Sequence, residues 1–150
     1  MISLQELAQF PLFSGLSEVS LGRLAVHSEE VQCAAGDTLF HEGDEATHFY
    51  VLIDGEIDLR VHLSSRPEYV TVASLQHTGE ALGWSGLVPP HHYTASAVCQ
   101  KDTRLLAFRG AAFMAELEKD PEAGFIIMRR VAEIIAGRLR NARVALLRTL

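Results

Sequence analysis

The chain has 150 residues, 48% of them apolar and 21% charged, a size and balance that suit one domain with a buried core. A formal net charge of −6 argues against a nucleic-acid binder, and no run approaches the roughly 18 apolar residues that cross a bilayer. The opening MISLQELAQFPLF lacks a basic segment and carries Glu6 early, unlike a secretory leader, so the expected location is the cytoplasm.

Residues 1–30 are predicted to be helical. Leu4, Leu7 and Ala8 share one helix face, and after the break from Pro11 to Gly15, Ser17 caps a second helix carrying Val19, Leu21, Leu24 and Ala25. From 31 to 108 the pattern changes to short strands between turns. Thr38-Leu39-Phe40 is a short strand between Gly36-Asp37 and Gly43-Asp44. Residues 49–53 form an unbroken apolar run of buried-strand length, followed by the hairpin turn Asp54-Gly55. Ile57, Leu59 and Val61 alternate with Asp58, Arg60 and His62, as in a strand with one wet face. Ser64-Ser65-Arg66-Pro67 is a loop; Val70, Val72 and Ser74, then 93–99 and 104–108, complete the set. Short strands at this spacing close into an antiparallel roll.

Residues 109–150 are helical again. A helix over 111–119 precedes a long one that starts at Asp120-Pro121-Glu122, with proline in the first turn and acids at the N-terminus. Phe125, Met128, Ala132, Ile135, Leu139, Ala142 and Leu146 recur at coiled-coil spacing, which predicts a homodimer seam; Ile127, Val131 and Ile134 form a second stripe suited to packing on the roll. In that register Arg138 and Arg143 would meet like charges across the seam, so the paired stretch is short or the arginines reach acids on the roll.

Charge is unevenly spread. Up to Arg60 the acids are opposed only by Arg23 and Arg60, whereas from Arg129 onward six arginines face Glu133 alone. A basic tail that meets an anionic partner and a solvated helix end are both compatible with this, and the second is the simpler. Cys33 and Cys99 stand far apart in no metal or redox spacing and read as two buried free thiols.

The segment Gly36-Asp37-Thr38-Leu39-Phe40-His41-Glu42-Gly43-Asp44 resembles the GD-x-L-F-x-E-G-D stretch of cyclic-nucleotide-binding domains. Phe49-Tyr50-Val51-Leu52-Ile53-Asp54-Gly55-Glu56-Ile57 is similar to the hairpin that follows it in that family, and Gly79-Glu80-Ala81-Leu82-Gly83 to the entry of its phosphate-binding cassette. The resemblance implies one domain over 1–150 of α+β class, mainly β: an antiparallel double-stranded β-helix (a jelly roll, or β-roll) flanked by N-terminal helices and a long C-terminal helix. It also implies a stand-alone regulatory module and not an enzyme, and no nucleophile with its base is visible.

In the family a short helix N-terminus and a bidentate arginine hold the cyclic phosphate, and a glutamate accepts the ribose hydroxyl. Aligned without gaps, Gly83 is kept, Leu87 plugs the roll, and Thr94-Ala95 close the cassette, but Trp84 takes the glutamate position and Tyr93 the arginine position. A hydrogen bond to a charged group contributes about 1.5–3 kcal/mol, so losing two weakens binding by several powers of ten. Cyclic AMP or another cyclic nucleotide is therefore a doubtful ligand. His91 or His92 can carry positive charge near pH 6, although one residue's offset turns His92 to the opposite face. The candidate pocket comprises Leu59, Ala73, Ser74, Gly83, Trp84, Ser85, Tyr93 and Thr94, with Trp84 either stacking on a planar ligand or filling the vacancy. No haem, iron–sulfur or metal ligand set is apparent. With the chain stopping at Leu150, no recognition helix follows, so direct DNA binding is not expected and output runs through the C-terminal helix or a protein partner.

Overall fold

The computed structural model describes residues 2–64 and 66–150; Met1 and Ser65, the latter in the loop expected at 64–67, lie outside the described residues. Two short helices open the chain, α1 (Leu4–Gln9) and α2 (Glu18–Ala25), with a single 3-10 turn, Pro11–Phe13, between them. Serines start both helices: Ser3 Oγ accepts the Glu6 N–H at 3.1 Å and Ser17 Oγ accepts the Ser20 N–H at 3.1 Å, satisfying amides that a helix start leaves unpaired.

Eight strands follow: β1 (Ser28–Cys33), β2 (Thr38–Phe40), β3 (His48–Asp54), β4 (Ile57–His62), β5 (Tyr69–Leu75), β6 (Ala81–Leu82), β7 (Ser96–Cys99) and β8 (Thr103–Arg109). They form two four-stranded antiparallel sheets, ordered β1-β8-β3-β6 and β2-β7-β4-β5. This is the expected β-roll. The first strand begins at Ser28, three residues inside the stretch assigned to helices, because β1 is an edge strand whose Glu29 and Glu30 lie exposed and read like a polar loop.

Two cores result. One fills the roll between the sheets, with Leu52, Ile57, Leu59, Leu82 and Leu105 buried there. The other lies between the outer face of the β1-β8-β3-β6 sheet and the helices, centred on Phe13, Phe49, Phe108 and Phe113, whose ring centroids stand 4.7–6.2 Å apart. Strand β3 contributes to both cores, which explains its unbroken apolar run: neither face meets water.

The chain closes with α3 (Gly110–Lys119) and α4 (Pro121–Leu147). Asp120 caps α4 by accepting the Ala123 N–H, and Ser20 of α2 donates to the same carboxylate, which ties the two helices together. Ile127 and Val131 are buried in the helix-side core with Ile134 packed against it, so α4 lies down along the roll. The stripe assigned to a dimer seam divides. Phe125, Ala132 and Leu139 are exposed, while Met128 and Ile135 lean on the helix-side core, and Ala142 and Leu146 are half-buried. Among the described residues no helix is long and apolar enough to cross a membrane.

Candidate functional site

Strand β6 ends at Leu82, and Gly83, at φ 78, turns the chain in the left-handed region that a side chain disfavours. A single 3-10 turn, Trp84–Gly86, follows, and Leu87 plugs the helix-side core. The chain then runs through a cis Pro89-Pro90 peptide and comes back alongside the 43–46 segment. There the Gly43 N–H donates to the Tyr93 carbonyl at 2.7 Å, the Tyr93 N–H to the Asp44 carbonyl at 2.9 Å, and the Ala46 N–H to the His91 carbonyl at 2.7 Å. The glycine–aspartate turn therefore holds the far arm of the cassette. At its near end the cassette touches the helices backbone to backbone: a Cβ on Gly110, the first residue of α3, would fall 1.8 Å from the Gly86 carbonyl oxygen.

Between the arms, Tyr93 points inward. Its ring stacks on Phe40 with centroids 3.7 Å apart and 13° between planes, and its hydroxyl donates to the His48 carbonyl at 2.6 Å. Only 6% of Tyr93 is exposed. Burial, reinforced by the neighbouring Tyr50, pushes its phenol pKa well above the usual range, so it stays a neutral hydrogen-bond donor. What remains is a cavity of about 20 Å³, room for a water molecule. Its walls are Phe40, Leu59, Trp84, Tyr93 and Ala95, with Ser85 and Thr94 supplying hydroxyls and no lining side chain carrying a charge.

Trp84 is half-buried between this cavity and the helix-side core. Arg138 of α4 lies over its indole, with the guanidinium carbon 5.9 Å from the ring centroid, and donates from Nη2 to the Ala81 carbonyl at 2.6 Å. Its Nη1 is buried without a hydrogen-bond partner, and burial lowers the guanidinium pKa, opposed by the charge of Glu80. Of the two arginines placed in the seam, Arg138 thus reaches the roll through a carbonyl and a ring, while Arg143 is exposed.

Six of the eight residues assigned to the pocket from the sequence, Leu59, Gly83, Trp84, Ser85, Tyr93 and Thr94, stand around the cavity. Ala73 and Ser74 do not. Ser74 is exposed, paired across the ladder with Asp58 and donating to its carboxylate at 2.8 Å, because strand alternation turns it to the wet face. Ala73, opposite the inward-facing Leu59, instead flanks a groove between β5 and α4. His91 and His92 do not replace the missing cation: their Nδ1 atoms lie 2.9 Å from the Ser85 carbonyl and 3.2 Å from the Gly43 carbonyl, and neither lines the cavity. Sequence reasoning missed Phe40 and Ala95 as walls; it left open that Arg138 reaches acids on the roll, whereas its partners are a carbonyl and an indole. Phe40 is visible as the aromatic of the first motif; nothing local marks Arg138.

Known proteins agree with this architecture. Residues 30–120 match the family model for the cyclic nucleotide-binding domain. A cyclic AMP receptor protein of Thermus thermophilus is 28% identical over 133 residues, covering 88% of this chain and 58% of its own length, so this chain spans little more than half of that relative. The crystal structure of a candidate cyclic nucleotide-binding protein from Geobacter metallireducens GS-15 is 31% identical with a TM-score of 0.80, covering 93% of this chain and 99% of that one. The N-terminal domain of a transcriptional regulator from Streptomyces coelicolor A3(2) is 29% identical with a TM-score of 0.69, covering 94% of each chain. The chain belongs to the cyclic nucleotide-binding domain family.

Proposed function

We propose that this chain is a sensory or regulatory domain in which ordinary cyclic-nucleotide binding is lost or altered, and whose output is the position of α4. One observation carries the reading: Tyr93, stacked on Phe40 and bonded to the His48 carbonyl, is enclosed in the roll beside a cavity of only about 20 Å³. Two routes support transmission from cassette to helix. Gly86 of the cassette turn abuts Gly110 at the start of α3, and Arg138 joins α4 to the strand that enters the cassette. Similarity to a cyclic AMP receptor and to a transcriptional regulator's N-terminal domain is consistent with a regulatory role.

Calorimetric titration with cyclic AMP, cyclic GMP and cyclic dinucleotides tests this. The expected result is no binding of cyclic AMP or cyclic GMP tighter than millimolar, whether or not a cyclic dinucleotide binds, and a micromolar dissociation constant for cyclic AMP or cyclic GMP overturns it.

A second reading, a ligand-free dimeric scaffold, is favoured by the exposed stripe on α4, where Phe125 is 65% and Leu139 69% exposed at seven-residue multiples along one face. A second copy of this helix is the proposed occupant. Light scattering is expected to report a dimer that dissociates when Leu139→Glu and Phe125→Glu are combined. A monomeric wild type, or a variant that stays dimeric, removes the seam.

A further inference from the structure

Sixty-six positions apart in sequence, Cys33 and Cys99 come together around one carbonyl in the fold. Cys33 ends β1 and Cys99 ends β7, on opposite sides of the turn at 34–37. The Asp37 carbonyl gathers them: it accepts the Cys99 N–H at 2.8 Å and lies 3.8 Å from Cys33 Sγ, while the Gly36 N–H returns to the Cys99 carbonyl at 2.7 Å. Both side chains belong to the same buried cluster inside the roll. Cys33 retains 8% exposure at the edge of an open cleft of about 550 Å³, beside Asp102 and Arg104, whereas Cys99 is fully enclosed.

We propose that Cys33 and Cys99 form a reversible intramolecular disulfide when the protein meets a two-electron oxidant of the peroxide class. Cys33, reached through the cleft, reacts first. Its thiol gives up a proton, the sulfur attacks a peroxide oxygen, and the O–O bond breaks to leave a sulfenic acid and water. The Cys99 sulfur then attacks the Cys33 sulfur; the S–O bond breaks, and the departing hydroxide takes the Cys99 proton as a second water. Two thiols lose two electrons in all, and one peroxide becomes two waters. Burial and the adjacent Cys33 thiol hold the Cys99 thiol up at about 12, which leaves the first step to Cys33.

The bond would join the two sheets, since β1 belongs to one and β7 to the other. Strand β7 leaves the cassette three residues after Tyr93, and β1 pairs along the whole of β8, which leads directly into α3. Oxidation would therefore fix the cassette's exit against the sheet that carries the helices. This inference is independent of whether any nucleotide binds.

The test treats the folded, reduced chain with hydrogen peroxide and then blocks remaining thiols with iodoacetamide. Intact mass is expected to show loss of two hydrogens and no alkylation, restored to two alkylated thiols by dithiothreitol. Thermal denaturation is expected to shift up by several degrees in the oxidised form only. Cys33→Ser and Cys99→Ser, each of which replaces sulfur with a similar small side chain, are expected to abolish both changes. Mass gains of whole oxygens on separate cysteines, disulfide-linked dimers on a non-reducing gel, or two thiols still alkylated after oxidant each overturn the proposal.

Discussion

Tyr93→Ala is expected to destabilise the domain by about 3–5 kcal/mol, lowering the melting temperature by about 10 °C or more. The side chain is almost wholly enclosed, and truncation would empty the space between Phe40 and the cassette turn. Tyr93→Phe separates the ring from its hydroxyl. The stack on Phe40 stays, the His48 carbonyl loses a donor, and the cost is expected to be only about 1 kcal/mol. Equilibrium denaturation of the two variants checks both figures. Should Tyr93→Ala prove as stable as wild type, the ring would not be the internal plug that the geometry indicates.

The second large effect concerns α4. Arg138→Ala is expected to release the C-terminal half of the helix from the roll, because the side chain covers Trp84 and carries a charge-assisted bond to Ala81. Trp84 emission should shift to the red, and amides C-terminal to Arg138 should exchange faster with deuterium. The loss in stability is expected to be about 1–2 kcal/mol. Arg138→Met should behave differently. It keeps a long aliphatic stem over the indole and removes Nη1, a buried donor with no partner, so its stability should fall within about 1 kcal/mol of wild type. Equal damage from Met and Ala would mean that the charge, and not the cover it provides, holds the helix down.

The parts of this molecule that were legible in the sequence are those set by local rules. Gly36-Asp37, Gly43-Asp44 and Asp54-Gly55 mark turns because few residues tolerate such backbone, and the alternation in β4 follows from one wet face. Ser17 and Asp120 announce helix starts for the same reason: an unpaired amide needs a short acceptor. Ile127 and Val131 pack on the roll as their stripe suggested.

What could not be read depends on distant partners. Nothing near Arg138 marks it for an indole and a strand carbonyl more than fifty residues earlier. Glu29 and Glu30 concealed an edge strand, since polar residues on a wet face look like a loop. Ser74, expected in the pocket, is turned outward to Asp58 by the pleat. The two cysteines seemed unrelated because sequence distance says nothing about strands that end on either side of one turn.

The departures at Trp84 and Tyr93 were plain in the sequence, but their consequence was not. Either residue could have lined an open pocket. In the fold Tyr93 is buried with its hydroxyl bonded to the His48 carbonyl, while Trp84 is shared between the cavity and the helix contact.

The most direct test of a cassette closed by its own side chains is the carbon–proton spectrum of the protein labelled in its tyrosine rings, recorded with and without cyclic AMP at millimolar concentration. Stacking on Phe40 should displace the Tyr93 ring signals by ring current, and they should stay in place as nucleotide is added. Saturable movement of those signals toward the positions of an unstacked tyrosine would show the ring giving way to ligand, and would contradict the closed cassette.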